Sequence, residues 1–187
     1  EGIKAMKIFF RIFVFQLLAF CQVEAQEKDE FLLLKDSVEA SGGIYLATDV
    51  YLPHRDKTYP TILVRTPYQK ENVKGNALNF IKQGYGVVVQ DCRGKFGSGG
   101  EFYAFKDERE DGLKTIEWIK KQSWYNGKIA GYGGSYLGYT QWAVSDRLDA
   151  VCELVTGADV YDLICPQGMF SLATAFNWGL LVDARKS

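Results

Sequence analysis

The chain has 187 residues, in which 22 lysines and arginines nearly balance 23 aspartates and glutamates. A net charge of −1 argues against a nucleic-acid-binding protein and against a protein held on membranes by electrostatic attraction. Hydrophobic residues make up 47% of the chain, so its size and composition are those of one globular domain or of a large part of one.

Residues 1–25 have the pattern of a leader followed by a secretory signal peptide. After Met6, two basic residues precede the apolar run IFVFQLLAFC (12–21), and the small residues that follow predict cleavage before Gln26. This run is too short to span a bilayer, and lipid attachment at Cys21 is the less favoured alternative. We therefore expect a secreted or periplasmic protein with no stable membrane span after cleavage.

Removal of the signal leaves three cysteines, Cys92, Cys152 and Cys165. They can form at most one internal disulfide, and their spacing matches no paired-cysteine metal site. We expect them to pack as small hydrophobic residues.

The rest of the chain predicts strands that alternate with helices. Segment 31–53 predicts two strands joined by a turn at Gly42 and Gly43, because its second half alternates in polarity. Short apolar runs then predict buried strands at TILVR (61–65), GVVVQD (86–91), KIAGYG (128–133) and AVCELVT (150–156). Helical spacing predicts helices over 75–84 and 107–122 and a third helix that opens at Ser135.

This order of elements predicts an α/β fold. Continuous rather than alternating apolar strands indicate a mainly parallel sheet with helices on both faces. The tail, 165–187, is almost wholly apolar and predicts a helix without an obvious partner in the chain. Because this apolar segment has no partner, we expect an interrupted sequence.

One serine has the setting of a catalytic nucleophile. In KIAGYGGSYLGYTQWA (128–143), Ser135 stands between a predicted strand and a predicted helix, as in a nucleophile elbow. The helix N-terminus and the backbone N–H of Tyr136 would stabilise a developing oxyanion. The G-x-S-x-G pattern is not matched strictly, because Leu137 stands at the position of the last glycine. A serine that only caps the helix is the alternative.

The segment GGSYLGYTQWA (133–143) resembles the elbow of the serine hydrolase family that includes X-Pro dipeptidyl-peptidase and cocaine esterase (CocE/NonD). Four further segments resemble this family in the same order: GIYLATDVYLP (43–53), RTPYQK (65–70), VVVQDCRGKFGSGGEF (87–102) and DGLKTIEWIKKQSWYNGKIAGYGGSYLG (111–138). The resemblance implies the α/β-hydrolase fold. The chain would hold the N-terminal part of its catalytic domain (26–162) and the start of a helical cap (163–187).

The resemblance implies roles for three residues. Ser135 is the expected nucleophile, while the phenol of Tyr68 and the backbone N–H of Tyr136 are the expected oxyanion donors. A serine nucleophile also needs a base, and in this fold the acid and the histidine follow the serine. The single histidine, His54, precedes Ser135 in a polar loop and is expected to be a surface residue. We therefore expect the acid and the histidine beyond Ser187, and this chain to be an inactive fragment.

The implied reaction is hydrolysis of a small-molecule ester, or of a short peptide such as an X-Pro substrate, without a metal or an organic cofactor. Phe102, Tyr103 and Phe105 either line an acyl pocket or pack in the core. Asp91 and Arg93 are expected to form an ion pair that holds the glycine-rich loop.

Two other functions stay open. The first is a dinucleotide-binding oxidoreductase, whose fingerprint is G-x-G-x-x-G with an acidic residue about twenty positions later. Gly131, Gly133 and Glu153 match this fingerprint, but Tyr136 stands where the third glycine would be. A non-catalytic binding module that keeps the scaffold and lacks the chemistry is the other.

Overall fold

In a computed structural model, the described residues are 31–157 and 159–183. The predicted signal peptide lies outside them. Within these ranges, no helix is long and apolar enough to cross a membrane. The strands of this region are β1 (Leu32–Ala40), β2 (Ile44–Leu52), β3 (Tyr59–Thr66), β4 (Gly86–Asp91), β5 (Tyr125–Gly134) and β6 (Ala150–Leu154). The α-helices are α1 (Lys74–Lys82), α2 (Glu108–Ile119), α3 (Tyr136–Trp142), α4 (Val160–Ile164) and α5 (Leu172–Asp183).

The strands form one mixed sheet in the order β1-β2-β4-β3-β5-β6. The pairs β1–β2 and β2–β4 are antiparallel, and the remaining pairs are parallel. The predicted hairpin between β1 and β2 is confirmed, and Gly42 and Gly43 take the positive φ angles of 76° and 70° that its turn requires. The predicted α/β fold with a mainly parallel sheet is therefore confirmed.

Helices cover both faces of the sheet, as the continuous apolar strands predicted. On one face, Ile116 and Ile119 of α2 pack against Leu63 and Val88. On the other face, Ala77 of α1 packs against the strand residues Ile62, Val64, Val87 and Val89. Because β4 is covered on both sides, all of its residues are buried.

The four parallel strands end at the same edge of the sheet. The register pairs Thr66 of β3 with Asp91 of β4, and Gly134 of β5 with Leu154 of β6. The loops that follow these strands therefore meet at one edge, and they carry Tyr68, the glycine-rich segment and Ser135.

The apolar tail differs from the predicted continuous helix. A short 3-10 turn at Pro166–Gly168 precedes α5, and Gln167 within it has a φ of 56°. Most large side chains of α5 are exposed, Phe176 by 56% and Leu180 by 55%, as a tail without a partner would be. Val182 is buried, and Trp178 is half-buried because its indole packs on Tyr136 and Phe105.

Candidate active site

The backbone bends sharply at Ser135. This residue lies between β5 and α3 with φ 55° and ψ −126°, a conformation that costs free energy for any residue with a Cβ. Its N–H donates to the carbonyl of Leu154 (2.8 Å), and its own carbonyl accepts from the N–H groups of Gly138 and Tyr139. The hydroxyl makes no capping hydrogen bond to α3. The helix-capping alternative is therefore wrong, and Ser135 is instead an exposed side chain on a strained bend.

Two glycines make room for this bend. A Cβ on Gly133, which has a φ of 147°, would lie 2.4 Å from the Cβ of Leu137. A Cβ on Gly138 would lie 2.7 Å from Cγ2 of Thr156. Both separations are far below van der Waals contact, so α3 approaches β5 and β6 this closely only because these positions lack side chains.

Ser135 borders a cavity of about 270 Å³. The lining is mainly apolar and comes from α3, from the segment after β6 and from α5. It consists of Phe105, Ser135, Tyr136, Tyr139, Val155, Thr156, Gly157, Val160, Leu163, Ile164, Thr174, Ala175 and Trp178. Of the three aromatic residues that were candidates for an acyl pocket, Phe105 lies in this wall, whereas Phe102 and Tyr103 lie outside it.

Tyr136 contributes its backbone and its ring in different ways. Its N–H occupies the first position of α3, where an N–H has no partner within the helix. Its buried hydroxyl donates to Oε1 of Glu108 (2.7 Å) and accepts from the N–H of Phe105 (2.9 Å). Burial and the charge of Glu108 raise the pKa of Tyr136 far above its ordinary value, so the phenol stays protonated. The phenol therefore holds α3 in place, and the N–H faces away from the helix.

Arg65 and Glu108 form a buried ion pair, and Glu108 also accepts the hydrogen bond from the Tyr136 hydroxyl. Nη2 of Arg65 lies 3.0 Å from Oε2 of Glu108, and Nη1 donates to the Glu108 carbonyl (2.6 Å). The guanidinium also donates from Nε to Gln90 of β4 (3.0 Å). Glu108 thus connects Arg65 of β3 to Tyr136 of α3, the helix that follows Ser135. The sequence does not reveal this role, because an acidic start is also expected of any helix whose charges complement its dipole.

Tyr68 lies on the loop after β3, at the same sheet edge as Ser135. Its half-buried hydroxyl accepts the indole N–H of Trp178 (2.8 Å). Its backbone is held twice, because its N–H donates to Oγ1 of Thr66 (3.0 Å) and its carbonyl accepts from Nδ2 of Asn72 (2.7 Å). Tyr68 is thus joined to the cavity that contains Ser135 through Trp178, which lines it.

The expected ion pair between Asp91 and Arg93 is wrong. Arg93 pairs instead with both carboxylate oxygens of Asp111, at 2.5 and 3.0 Å. The carboxylate of Asp91 is held by backbone groups, the N–H of Lys70 (2.8 Å) and the N–H of Gly97 (3.4 Å). Burial raises the pKa of Asp91 to about 6. Each residue still fixes a loop at the carboxyl edge, but through a different partner.

The structure also places the remaining candidates. His54 is exposed in the loop before β3, at the sheet edge opposite to Ser135, because β3 and β5 are parallel and Ser135 follows the end of β5. Cys92, Cys152 and Cys165 are free thiols. Cys92 is buried as expected, whereas Cys152 is exposed and Cys165 half-buried.

A strained serine between a strand and a helix, at the carboxyl edge of a mainly parallel sheet, defines an α/β hydrolase. Solved structures share this fold. An α-amino acid ester hydrolase is 26% identical with a TM-score of 0.59, covering 69% of this chain and 26% of its own. A CocE/NonD family hydrolase from Staphylococcus aureus is 28% identical with a TM-score of 0.58, covering 65% of this chain and 27% of its own.

The family follows from the sequence comparisons. Residues 42–187 match the model of the X-Pro dipeptidyl-peptidase (S15) family, and the chain belongs to this family. The cocaine esterase of Rhodococcus sp. (strain MB1 Bresler) is 40% identical in an alignment 152 positions long, and the match covers 75% of this chain and 26% of that esterase. The chain therefore spans about a quarter of the length of these relatives. The predicted resemblance to this serine hydrolase family is confirmed. The family match gives no support to the dinucleotide-binding alternative.

Proposed function

We propose that Ser135 is the nucleophile of a serine hydrolase that cleaves ester bonds through an acyl-enzyme. The observation that carries this proposal is the bend at Ser135, with φ 55° and an exposed hydroxyl beside a cavity. A fold keeps such strain only where the surrounding structure holds it, and strain of this kind clusters at functional sites. The family supports an esterase or peptidase chemistry for the whole protein.

In the proposed reaction, Oγ of Ser135 attacks the ester carbonyl while a histidine takes its proton. The negative charge on the carbonyl oxygen is stabilised by the N–H of Tyr136 and the O–H of Tyr68. Collapse of this intermediate expels the alcohol, which takes the proton back from the histidine. Water then attacks the acyl-enzyme by the same route and releases the acid. No metal or organic cofactor takes part in these steps.

The histidine and its acid belong to residues outside these 187. The sole histidine of the chain, His54, lies at the wrong edge of the sheet, as described above. Because loss of the base reduces serine hydrolase turnover by several orders of magnitude, we expect the chain by itself to be inactive. We also propose that residues 1–25 direct export of the protein, which N-terminal sequencing of the mature form would test.

The cavity favours esters with an apolar acyl group over charged substrates. Among the residues that the structure describes, its wall includes Phe105, Leu163 and Trp178 and contains no carboxylate. Leu137, which follows Tyr136, also offers no acid to a substrate amine. These features favour acyl esters, whereas an X-Pro peptide with a charged amino terminus would need an acidic group from elsewhere.

The test uses the longest natural form of the protein and hydrolysis of p-nitrophenyl esters. Ser135→Ala should lower kcat/KM by about 10⁴-fold or more, because the nucleophile is lost. Ser37→Ala, which changes an exposed serine of β1, is the matched control and should keep full activity. Hydrolysis that persists in Ser135→Ala would overturn the proposal, and no hydrolysis by the unaltered protein would favour a non-catalytic binding module.

A further inference from the structure

Trp178 contacts both proposed oxyanion donors, Tyr68 and Tyr136, and lines the cavity that Ser135 borders. Its indole N–H donates to the hydroxyl of Tyr68 (2.8 Å). Its ring stacks on Tyr136, with centroids 5.7 Å apart and planes 17° apart, and on Phe105, with centroids 5.5 Å apart. It also lines the cavity that Ser135 borders. Trp178 comes from α5, 110 positions after Tyr68, so this arrangement depends on how α5 docks.

The direction of the hydrogen bond between Trp178 and Tyr68 is determined by chemistry. An indole N–H can only donate, so the oxygen of Tyr68 is the acceptor. The single proton of the phenol is then directed away from Trp178. A hydroxyl that accepts one hydrogen bond also donates more strongly, because bonds in a chain polarise one another. Trp178 therefore orients the O–H of Tyr68 and strengthens it as a donor.

From this geometry we infer that Trp178 is a positioning residue of the active site, which orients the phenol of Tyr68 toward the oxyanion. This inference rests on the proposed function of Ser135 and Tyr68 and adds to it a residue of α5. Trp178 acts through Tyr68, and its ring serves separately as part of the cavity wall.

A contact from Lys95 also fixes the position of α5, on which the hydrogen bond between Trp178 and Tyr68 depends. Nζ of Lys95, in the glycine-rich loop after β4, donates to the carbonyl of Val182 near the end of α5. The same ammonium lies 4.6 Å from the ring centroid of Phe102. A buried lysine at the carboxyl end of a helix also complements the helix dipole. α5 is thus attached to the sheet edge at both Trp178 and Val182, so its docking and the orientation of Tyr68 are coupled.

A double-mutant cycle on the longest natural form of the protein tests the inference. Trp178→Phe removes the N–H and keeps an aromatic ring in the cavity wall. It should lower kcat about 3- to 10-fold, which is the usual worth of one neutral hydrogen bond. In a Tyr68→Phe background, Trp178→Phe should lower kcat no further, since the hydroxyl through which Trp178 acts is already absent. Trp142→Phe, which changes a tryptophan at 40% exposure outside the cavity, is the matched control and should leave kcat unchanged.

An equal loss of kcat in both backgrounds would show that Trp178 acts by packing alone and would overturn the inference. The outcome is distinguishable from failure of the proposed function. If Ser135→Ala keeps its activity, both proposals fall. If Ser135→Ala is inactive and the effects of the two aromatic substitutions are additive, only the role of Trp178 falls.

The contact itself has a spectroscopic test that needs no activity. In a ¹H–¹⁵N correlation spectrum of the same longest natural form, each tryptophan gives one indole resonance, and the one lost in Trp178→Phe is that of Trp178. Tyr68→Phe removes the acceptor and should move this resonance upfield more than the other indole resonances. A resonance that stays in place in Tyr68→Phe would show that the hydrogen bond does not exist in solution, and would overturn the inference.

Discussion

The buried carboxyl of Asp91 makes folding stability depend on pH in an unusual direction. Burial raises its pKa from 3.8 to about 6, against the opposing effect of the N–H groups of Lys70 and Gly97. The charged form is therefore less favourable in the folded state than in the unfolded chain. The stability that Asp91 contributes is fully present below its unfolded pKa and is lost as the pH rises through about 6.

The magnitude follows from the two pKa values. Each pKa unit corresponds to about 1.4 kcal/mol, so ionisation of Asp91 lowers the free energy of unfolding by about 3 kcal/mol in all. Most of this loss, about 2.5 kcal/mol, falls between about pH 4 and about pH 7.5. Asp91→Asn keeps an oxygen for the N–H of Lys70 and cannot ionise. Its stability relative to the unaltered protein should therefore rise by about 2.5 kcal/mol over this interval.

Urea unfolding followed by tryptophan fluorescence, at several pH values across this interval, measures the difference directly. The charged side chains that act on the pKa of Asp91 are Lys70 and Glu71, and both are present in the variant as well. Asp36→Asn changes an exposed carboxylate of β1 and should run parallel to the unaltered protein. A constant difference between Asp91→Asn and the unaltered protein would refute the reasoning, because it would mean that burial does not disfavour the charge.

Two further substitutions test the elbow and the ion pair behind it. Gly133→Ala places a Cβ 2.4 Å from a neighbouring Cβ and should lower the free energy of unfolding by about 1–3 kcal/mol in urea titration. Gly75→Ala, with no atom within 4 Å of the new Cβ in α1, should raise it by about 0.5–1 kcal/mol. Glu108→Ala removes the nearer carboxylate of the buried Arg65 and leaves it only Asp111 at 3.9 Å, so it should cost about 3–5 kcal/mol in the same titration. Asp146→Ala, at an exposed pair, should change little.

Comparing each substitution with its control also shows which results would contradict these predictions. If Gly133→Ala and Gly75→Ala behaved alike, helix α3 would tolerate a side chain at the bend, and its close approach to β5 would not be required. If Glu108→Ala were as mild as Asp146→Ala, water would reach the guanidinium, and the ion pair would not be buried in solution.

Local sequence patterns were sufficient to predict where the strands lie and that the chain turns at Ser135. GVVVQD predicted β4 with the bounds Gly86–Asp91, because a strand covered on both faces has a continuous apolar run, here residues 87–89. The hairpin turn followed from Gly42 and Gly43, since these positions need a positive φ. The order of elements along the chain is also sufficient to place Tyr68 and Ser135 at one sheet edge, because loops after parallel strands meet there. Each of these features depends on neighbours in sequence or on a rule of topology.

Which polar side chains meet was decided only by the tertiary structure. Arg93 pairs with Asp111 rather than with Asp91, and Glu108 joins Arg65 to Tyr136, although nothing in the acidic start of α2 distinguishes inward from outward carboxylates. The bond from Trp178 to Tyr68 spans 110 positions and depends on the docking of α5. Such pairings arise because buried charges and donors must find partners wherever the packed elements bring them, and that placement is a property of the whole fold.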